Sequence, residues 1–381
     1  MSIPENPELE GFDEFEDLDD EACDSGMVEP FDPTKINILP KQDTLRNLID
    51  RLRNEEIDMN TDFQRHADLW SSSQMSRLIE SILIRFPLPA FYFDASDDNK
   101  WLIVDGLQRL SSIRKFVVQD KTINPRPLRL CGLEYLKDLN KKTYTDLPRH
   151  YIRRIDECPI TLFLIQPGTP INVKYSVFRR INTGGLVLTN QEIRNALAKP
   201  RERKFLEDLA KDENLVRIMG DQSKRMVDQE LVLRFLSFYS QDFLKSPKNI
   251  ADFMDEEMEA LKSCSEVELK SLKRAFKRST RLSFELFGEA AFEKRDSSEP
   301  DRRVRKNTSL FEVWSVCLAK ISEQDAMVLI SRKQKIIDKL KFQLENDTVF
   351  YRSVSMATQK RDHVQIRYDR VNKIIQETLN A

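Results

Sequence analysis

The stretch Lys100-Trp101-Leu102-Ile103-Val104-Asp105-Gly106-Leu107-Gln108-Arg109-Leu110 runs from four consecutive apolar residues into a polar cluster, and Ile113, Phe116 and Val117 follow. Four apolar residues in a row predict a buried strand, and Leu110, Ile113, Phe116 and Val117 recur at helical spacing. Gly106 lies between the two, where a sharp exit calls for a residue without a Cβ. Asp105 to Arg109 therefore fall on a helix's first turn. Unpaired backbone N–H groups and the positive end of the helix dipole gather there, and Arg109 adds a planar cationic fork. An anion, above all a phosphate, is the expected guest. Read locally, Asp105 as a helix cap and Arg109 as half of a surface ion pair fit as well.

Outward from this junction the chain alternates short strands and helices. Ala90 to Phe93 and Trp101 to Val104 predict a β-hairpin around the polar turn Asp94 to Asn99. Upstream, Leu45, Leu48, Ile49 and Leu52 predict an amphipathic helix and Ile57 to Met59 a short strand. Met75, Leu78, Ile79, Ile82 and Leu83 predict a second helix, stopped by Pro87. Downstream come a short basic helix with Arg149, His150, Arg153 and Arg154, an apolar strand from Ile160 to Ile165, and a helix from Asn172 to Ile181. That helix carries Phe178, Arg179 and Arg180 into Asn182-Thr183-Gly184-Gly185. Only nine glycines occur in 381 residues, so an adjacent pair marks a constraint on the backbone. Thr189 and Glu192 make a capping box for a helix from Asn190 to Leu197, with Arg194 and Asn195 on its next turn. Beyond residue 200 the pattern is almost entirely helical. It includes a long helix from a Ser265–Glu268 capping box towards Gly288, and helices around Phe311 to Leu318, Ala326 to Phe342 and Val364 to Leu379.

Charge is unevenly distributed. Thirteen acids and no Lys or Arg lie in residues 1–34, so the remainder holds 50 acids against 61 bases, a formal charge of about +11. The first 33 residues read as an acidic disordered tail, serving solubility or folding over the basic body in imitation of a nucleic acid. A basic body is compatible with a polyanionic partner and equally with a well-solvated helical surface. The basic run Arg302 to Lys306 reads as a loop. Five scattered cysteines, odd in number and without a Cys-x-x-Cys pair, argue against a disulfide framework and a zinc site. No signal-peptide pattern and no apolar run of the roughly 20 residues a bilayer requires is present. A cytoplasmic protein with no membrane association is expected.

Several blocks together resemble one family. Val104-Asp105-Gly106-Leu107-Gln108-Arg109-Leu110 is similar to the Asp-Gly-Gln-Gln-Arg-Leu signature of the N-terminal domain of GmrSD-type restriction endonucleases, a branch of the ParB/sulfiredoxin-like superfamily; Leu107 stands where the family usually has glutamine. Phe63-Gln64-Arg65 with Trp70 downstream resembles a further part of that domain. Phe178-Arg179-Arg180-Ile181-Asn182-Thr183-Gly184-Gly185, with Glu192, Arg194, Asn195 and Ala196 beyond it, resembles the family's Phe-x-Arg-x-Asn-Thr-Gly-Gly and Glu-x-Arg-Asn-Ala blocks. Lys224 to Asp228 resembles one more. The likeness spans roughly residues 40 to 260.

The resemblance implies an α+β fold: a ParB/sulfiredoxin-like domain with a small β-sheet over residues 34–200, followed by an all-α domain over 201–381. It also implies a component of a DNA restriction or anti-phage defence system that binds, and hydrolyses, a nucleoside triphosphate with Mg²⁺ as cofactor. In that picture Gly106 and the N–H groups after it hold phosphate oxygens, Arg109 neutralises developing charge, Gln108 orients a water or a phosphate oxygen, and Asp105 positions Mg²⁺ or a water. Arg65, Arg180 and Arg194 complete the anion pocket with Asn182 and Asn195 as neutral hydrogen-bonding groups. Glu192 is either a general base or metal carboxylate, or a cap and nothing more.

Two other classes stand beside this one. The ParB-like domain could itself cleave DNA if Asp105 and Glu192 converge on a metal. Alternatively it could be a non-catalytic module that senses nucleotide or modified DNA and recruits a partner nuclease, alone or as a homo-oligomer. His66, His150 and His363 form no recognisable nuclease or zinc motif, the His-Asn-His nuclease domain of full-length relatives has no counterpart here, and no P-loop occurs.

Overall fold

The computed structural model describes residues 35–59, 70–118, 126–181, 189–294 and 305–381, together with the backbone of Phe15–Glu16. The expectations for the acidic tail, for Phe63-Gln64-Arg65 and His66, for Asn182 to Leu188, and for Arg302 to Val304 lie outside the described residues. The chain divides into two compact units, one of residues 31–197 and one of residues 1–30 with 198–381.

The first unit is built on a five-stranded mixed sheet. Its strands are β1 (Ile38–Thr44), β2 (Ile57–Asp58), β3 (Phe91–Asp94), β4 (Trp101–Asp105) and β5 (Pro159–Ile165), in the spatial order β1-β5-β3-β4-β2. β1 and β5 are antiparallel, as are β3 and β4, while β3–β5 and β2–β4 are parallel. Alternation along the strands separates two faces. Phe91, Phe93, Trp101, Ile103, Ile160, Leu162 and Leu164 face one core, which α1 (Leu45–Arg53), α2 (Ser72–Leu83), α3 (Leu107–Val117) and α4 (Arg149–Asp156) cover. Val104 and Ile165 face a smaller core closed by α5 (Ile171–Ile181) and α6 (Asn190–Leu197) through Tyr175, Phe178, Ile193 and Ala196. Leu107 is packed against both.

Local signals explain most of these elements. α2 starts at a capping box of Ser71 and Gln74, and α1 buries Leu45, Leu48, Ile49 and Leu52 along one stripe. The segment after α3 has little regular structure and is tied down by buried side chains of α2, where Ser76 Oγ accepts the Cys131 N–H at 3.0 Å. Glu80 on α2 accepts backbone N–H groups from Glu134, Tyr135 and Leu136 at 3.0, 2.7 and 2.7 Å. Strand β1 was not predicted: its Pro40-Lys41-Gln42 stretch is exposed and carries little apolar alternation, and its register comes from a partner more than a hundred residues away.

The second unit is mostly helical. Its helices are α7 (Pro200–Ala210), α8 (Glu213–Met219), α9 (Val227–Ser240), α10 (Ile250–Leu261), α11 (Glu266–Phe287), α12 (Thr308–Lys320), α13 (Glu323–Ser331), α14 (Lys333–Asn346), α15 (Thr348–Ser353) and α16 (Arg361–Leu379). α12 is the axis of this unit, buried on every side from Thr308 to Ala319 and packed by α9, α11 and α16. Two details differ from the sequence reading. The helix expected from Ala326 to Phe342 is broken at Arg332, whose guanidinium turns to the carbonyls of Thr378 and Leu379 and closes the C-terminal end of α16. The unit is also not wholly α: Lys306–Asn307 pairs in parallel with Phe15–Glu16 over two residues.

Candidate functional site

The hairpin β3–β4 delivers the chain to Asp105, and its register is irregular at the end that matters. Phe93 lies opposite Ile103 but Tyr92 lies opposite Asp105, so Val104 is an extra residue. Such a bulge increases twist and re-aims the side chain that follows. Gly106 then takes φ +99° and ψ 14°, left-handed, and serves as the N-cap of α3. Among the described residues no side chain caps this helix. A Cβ at Gly106 would meet Phe91 Cδ1 at 2.5 Å and Arg109 Nη2 at 3.2 Å, so the position excludes other residues by backbone angle and by space.

Arg109 is turned into the protein. Its Nη2 donates to Asp105 Oδ2 at 2.8 Å and to the Ala90 carbonyl at 3.2 Å, Nη1 donates to the Pro89 carbonyl, and the guanidinium lies over the Phe91 ring at 4.6 Å. Burial pulls its pKa below the usual arginine value, against the opposing pull of the Asp105 carboxylate. Arg109 thus latches the entry to β3 onto the first turn of α3. Asp105 is half-buried, and among the described residues its Oδ1 has no hydrogen-bond partner. Gln108 is likewise half-buried on the same turn, and its backbone carbonyl accepts the Ser112 hydroxyl at 2.7 Å.

The second group of residues stands on α5 and α6. Arg179 Nε donates to Asn190 Oδ1 at 3.0 Å, joining the end of α5 to the start of α6. Arg180, next in sequence, is exposed and has no ion-pair partner among the described residues. The capping box forms as expected: the Thr189 N–H donates to Glu192 Oε2 at 2.7 Å and the Glu192 N–H to the Thr189 hydroxyl at 3.2 Å. Gln191, Glu192, Arg194 and Asn195 are all buried, and Arg194 Nη1 donates to Gln191 Oε1 at 3.4 Å. Arg65 and Asn182 lie outside the described residues. The core of Tyr175, Phe178, Ile193 and Ala196 seats α5 and α6 against Val104 and Leu107.

Three groups here carried no sequence signal of their own. Tyr92 is half-buried opposite Asp105, stacked on Phe163 with ring centroids 4.8 Å apart. Only its position between Phe91 and Phe93, on the opposite face of the strand, hinted at a distinct role. Lys174 Nζ donates to Asp94 Oδ2 and Ser96 Oγ, each at 2.6 Å, and ties α5 to the end of β3. Gln191 is fully buried and, among the described residues, its Nε2 has no acceptor. Among the described residues no group of three or more His, Cys, Asp or Glu side chains is arranged to hold a metal, and no helix is long and apolar enough to cross a membrane.

Residues 45–199 match the family model described as the GmrSD restriction endonuclease, N-terminal domain. Neither the curated proteins nor the solved structures contain a match. The matched segment contains all six helices, α1 to α6, and four of the five strands of the first unit, so the likeness to a GmrSD-type N-terminal domain covers nearly the whole of that unit.

Proposed function

For a chain with this likeness, we propose a role in a DNA restriction or anti-phage defence system, with the domain binding a nucleoside triphosphate at the junction of β4, Gly106 and α3. The uncapped first turn of α3 carries the reading. Gly106 brings no side-chain oxygen to the N–H groups of that turn, and a helix N-terminus left in this state is a ready anion site. Asp105 stands one residue before it with Oδ1 available. Mg²⁺ is commonly held by one or two carboxylates plus substrate phosphates, so the Asp105 carboxylate fits an ion that arrives with the nucleotide. Mg²⁺ would supply charge neutralisation at the phosphates. Arg180 offers an exposed guanidinium at the end of α5, whereas Arg109 keeps the junction in shape. Tyr92, stacked and half-buried beside Asp105, offers an aromatic surface to a base.

Leu107 favours a second reading of the same pocket. The family's usual amide is replaced here by an aliphatic side chain that packs against both cores of the unit, so this residue supplies no hydrogen bond to a ligand. That supports a module that binds nucleotide without turning it over and signals to a partner nuclease. Cleavage of DNA by an Asp105–Glu192 metal pair is less well supported, because Glu192 is buried and its Oε2 is taken up by the Thr189 N–H.

The test is nucleotide binding and phosphate release by the full chain with ATP, GTP, CTP or UTP and Mg²⁺, with and without DNA. Asp105→Asn and Arg180→Ala are each expected to weaken binding by about 10- to 100-fold, the worth of a charge-assisted contact. Release in the parent chain selects the NTPase; binding without release selects the sensor. If no nucleotide binds, or both variants bind as the parent does, the phosphate reading is wrong.

A further inference from the structure

The helical unit carries a groove of about 1020 Å³ along α11. Its floor is a row of cations: Lys270, Lys273, Arg274, Lys277, Arg278 and Arg281. At 100° per residue they fall within an arc of roughly 140°, and at 1.5 Å per residue the row is about 16 Å long. The opposite side of the same helix buries Leu269, Phe276, Leu282 and Leu286 in the core, so the face is fixed in direction and rigid. We propose that this groove binds a nucleic-acid phosphate backbone.

Three observations favour that partner. First, the cations are available. Arg278 and Arg281 lie 3.1 and 3.7 Å from Glu323, but Lys270, Lys273, Arg274 and Lys277 have no carboxylate within ion-pair distance among the described residues. Second, the acids that border the groove are largely committed. Glu323 is shared by the two arginines, and Asp212 caps α8 while accepting the Thr280 hydroxyl at 2.8 Å. Glu213 is the remaining carboxylate of the lining, against four unpaired cations. Third, the charge is regularly spaced along one helix face and Val267, 74% exposed, is the one apolar residue among the described residues of the lining; a phosphate backbone needs only regularly spaced charge. With one or two cations per helical turn of 5.4 Å, the row suits a ligand whose charges repeat along its length. Contacts of this kind position a nucleic acid without reading its sequence.

The measurement is the affinity of the full chain for short duplex and single-stranded oligonucleotides across a salt series. Four neutralised phosphates give a log–log slope of about −3.6 for duplex DNA and about −2.8 for a single strand, and between 50 and 200 mM salt the duplex affinity falls roughly 150-fold. The variant Lys270→Gln, Lys273→Gln, Arg274→Gln, Lys277→Gln is expected to lose most of that slope, and each single replacement about 0.9 of it. The four side chains stand on the outer face, so the circular dichroism of the quadruple variant should match the parent; if it does not, the single variants carry the test. An unchanged slope in them overturns the proposal. So does tight binding of a synthetic peptide of residues 1–34, with its thirteen acids, by a chain that ignores both oligonucleotides.

Discussion

Gly106 is constrained from two directions, and the consequences of that can be measured. An alanine there would have to hold φ near +99°, which costs an L-residue about 1–2 kcal/mol, and its Cβ would press on the Phe91 ring at 2.5 Å, adding an overpacking cost of about 1–3 kcal/mol. Gly106→Ala should therefore lower the stability of the first unit by about 2–5 kcal/mol in urea titrations followed by near-ultraviolet circular dichroism. An effect under about 0.5 kcal/mol would mean that neither constraint operates. Residue by residue, the sequence made the local structure at this junction legible but not the direction its side chains take. The strand, the glycine and the helix were readable because they are consecutive. That Arg109 would spend its guanidinium on the carbonyls of Pro89 and Ala90 was not, because those acceptors come from the far side of a hairpin some twenty residues upstream. Arg194 and Asn195 were legible as polar motif residues, while their burial on α6 depends on the packing of α5.

At the scale of elements, those that signal locally were found and those defined by distant partners were not. α6 and α11 each announce themselves with a capping box, and both boxes form, while α2 was legible from its apolar stripe. β1 has no such mark, and neither does the anchoring of residues 134–136. That anchoring rests on the buried Glu80 carboxylate. Burial by itself would raise its pKa, but the three backbone N–H groups from Glu134, Leu136 and Tyr135, helped by Arg77, outweigh it and hold the group below its ordinary value of 4.5. A carboxyl depressed in the folded state contributes stability that is fully present above its unfolded pKa and is lost as pH falls through the folded one. Amide exchange at Glu134, Tyr135 and Leu136 should accordingly be slow near neutral pH and should quicken once the pH drops below that value, beyond the intrinsic acid dependence of exchange. Glu80→Gln replaces one acceptor with a donor and should cost this segment about 1–3 kcal/mol of protection at neutral pH. The difference between variant and parent should narrow in acid; a constant difference at all pH values would show that the charge on Glu80 is not what holds the segment.

On the scale of the whole molecule, the first unit is built on the β3–β4 hairpin at the middle of its sheet and the second around α12. The second hides charge as well as apolar surface. Glu312 on α12 is fully buried between Arg234 of α9 and Arg367 of α16, with oxygen–nitrogen distances of 3.0 and 2.7 Å, and Arg367 also donates to the Thr358 carbonyl at 2.6 Å. No sequence pattern gave this trio, because its members are separated by 78 and 55 positions and each resembles an ordinary surface charge. Removing one partner strands the others without compensation, which typically costs about 3–5 kcal/mol. Cys317, five residues along the same helix, reports that loss directly. Burial pushes its thiol pKa up to about 12, so at pH 8 only about one native molecule in ten thousand presents the thiolate, and the sulfur is also shielded from reagent. Alkylation of Cys317 thus requires the unit to open, and when reclosing outpaces reaction its rate follows the open population. Glu312→Gln should raise that rate by roughly two to three and a half orders of magnitude, as read by peptide mass spectrometry after timed labelling. The half-buried Cys131, on the other unit, serves as the internal reference and should label at the parent's rate. Equal labelling of Cys317 in variant and parent would show that the Arg234–Glu312–Arg367 contacts contribute nothing net to the stability of the helical unit.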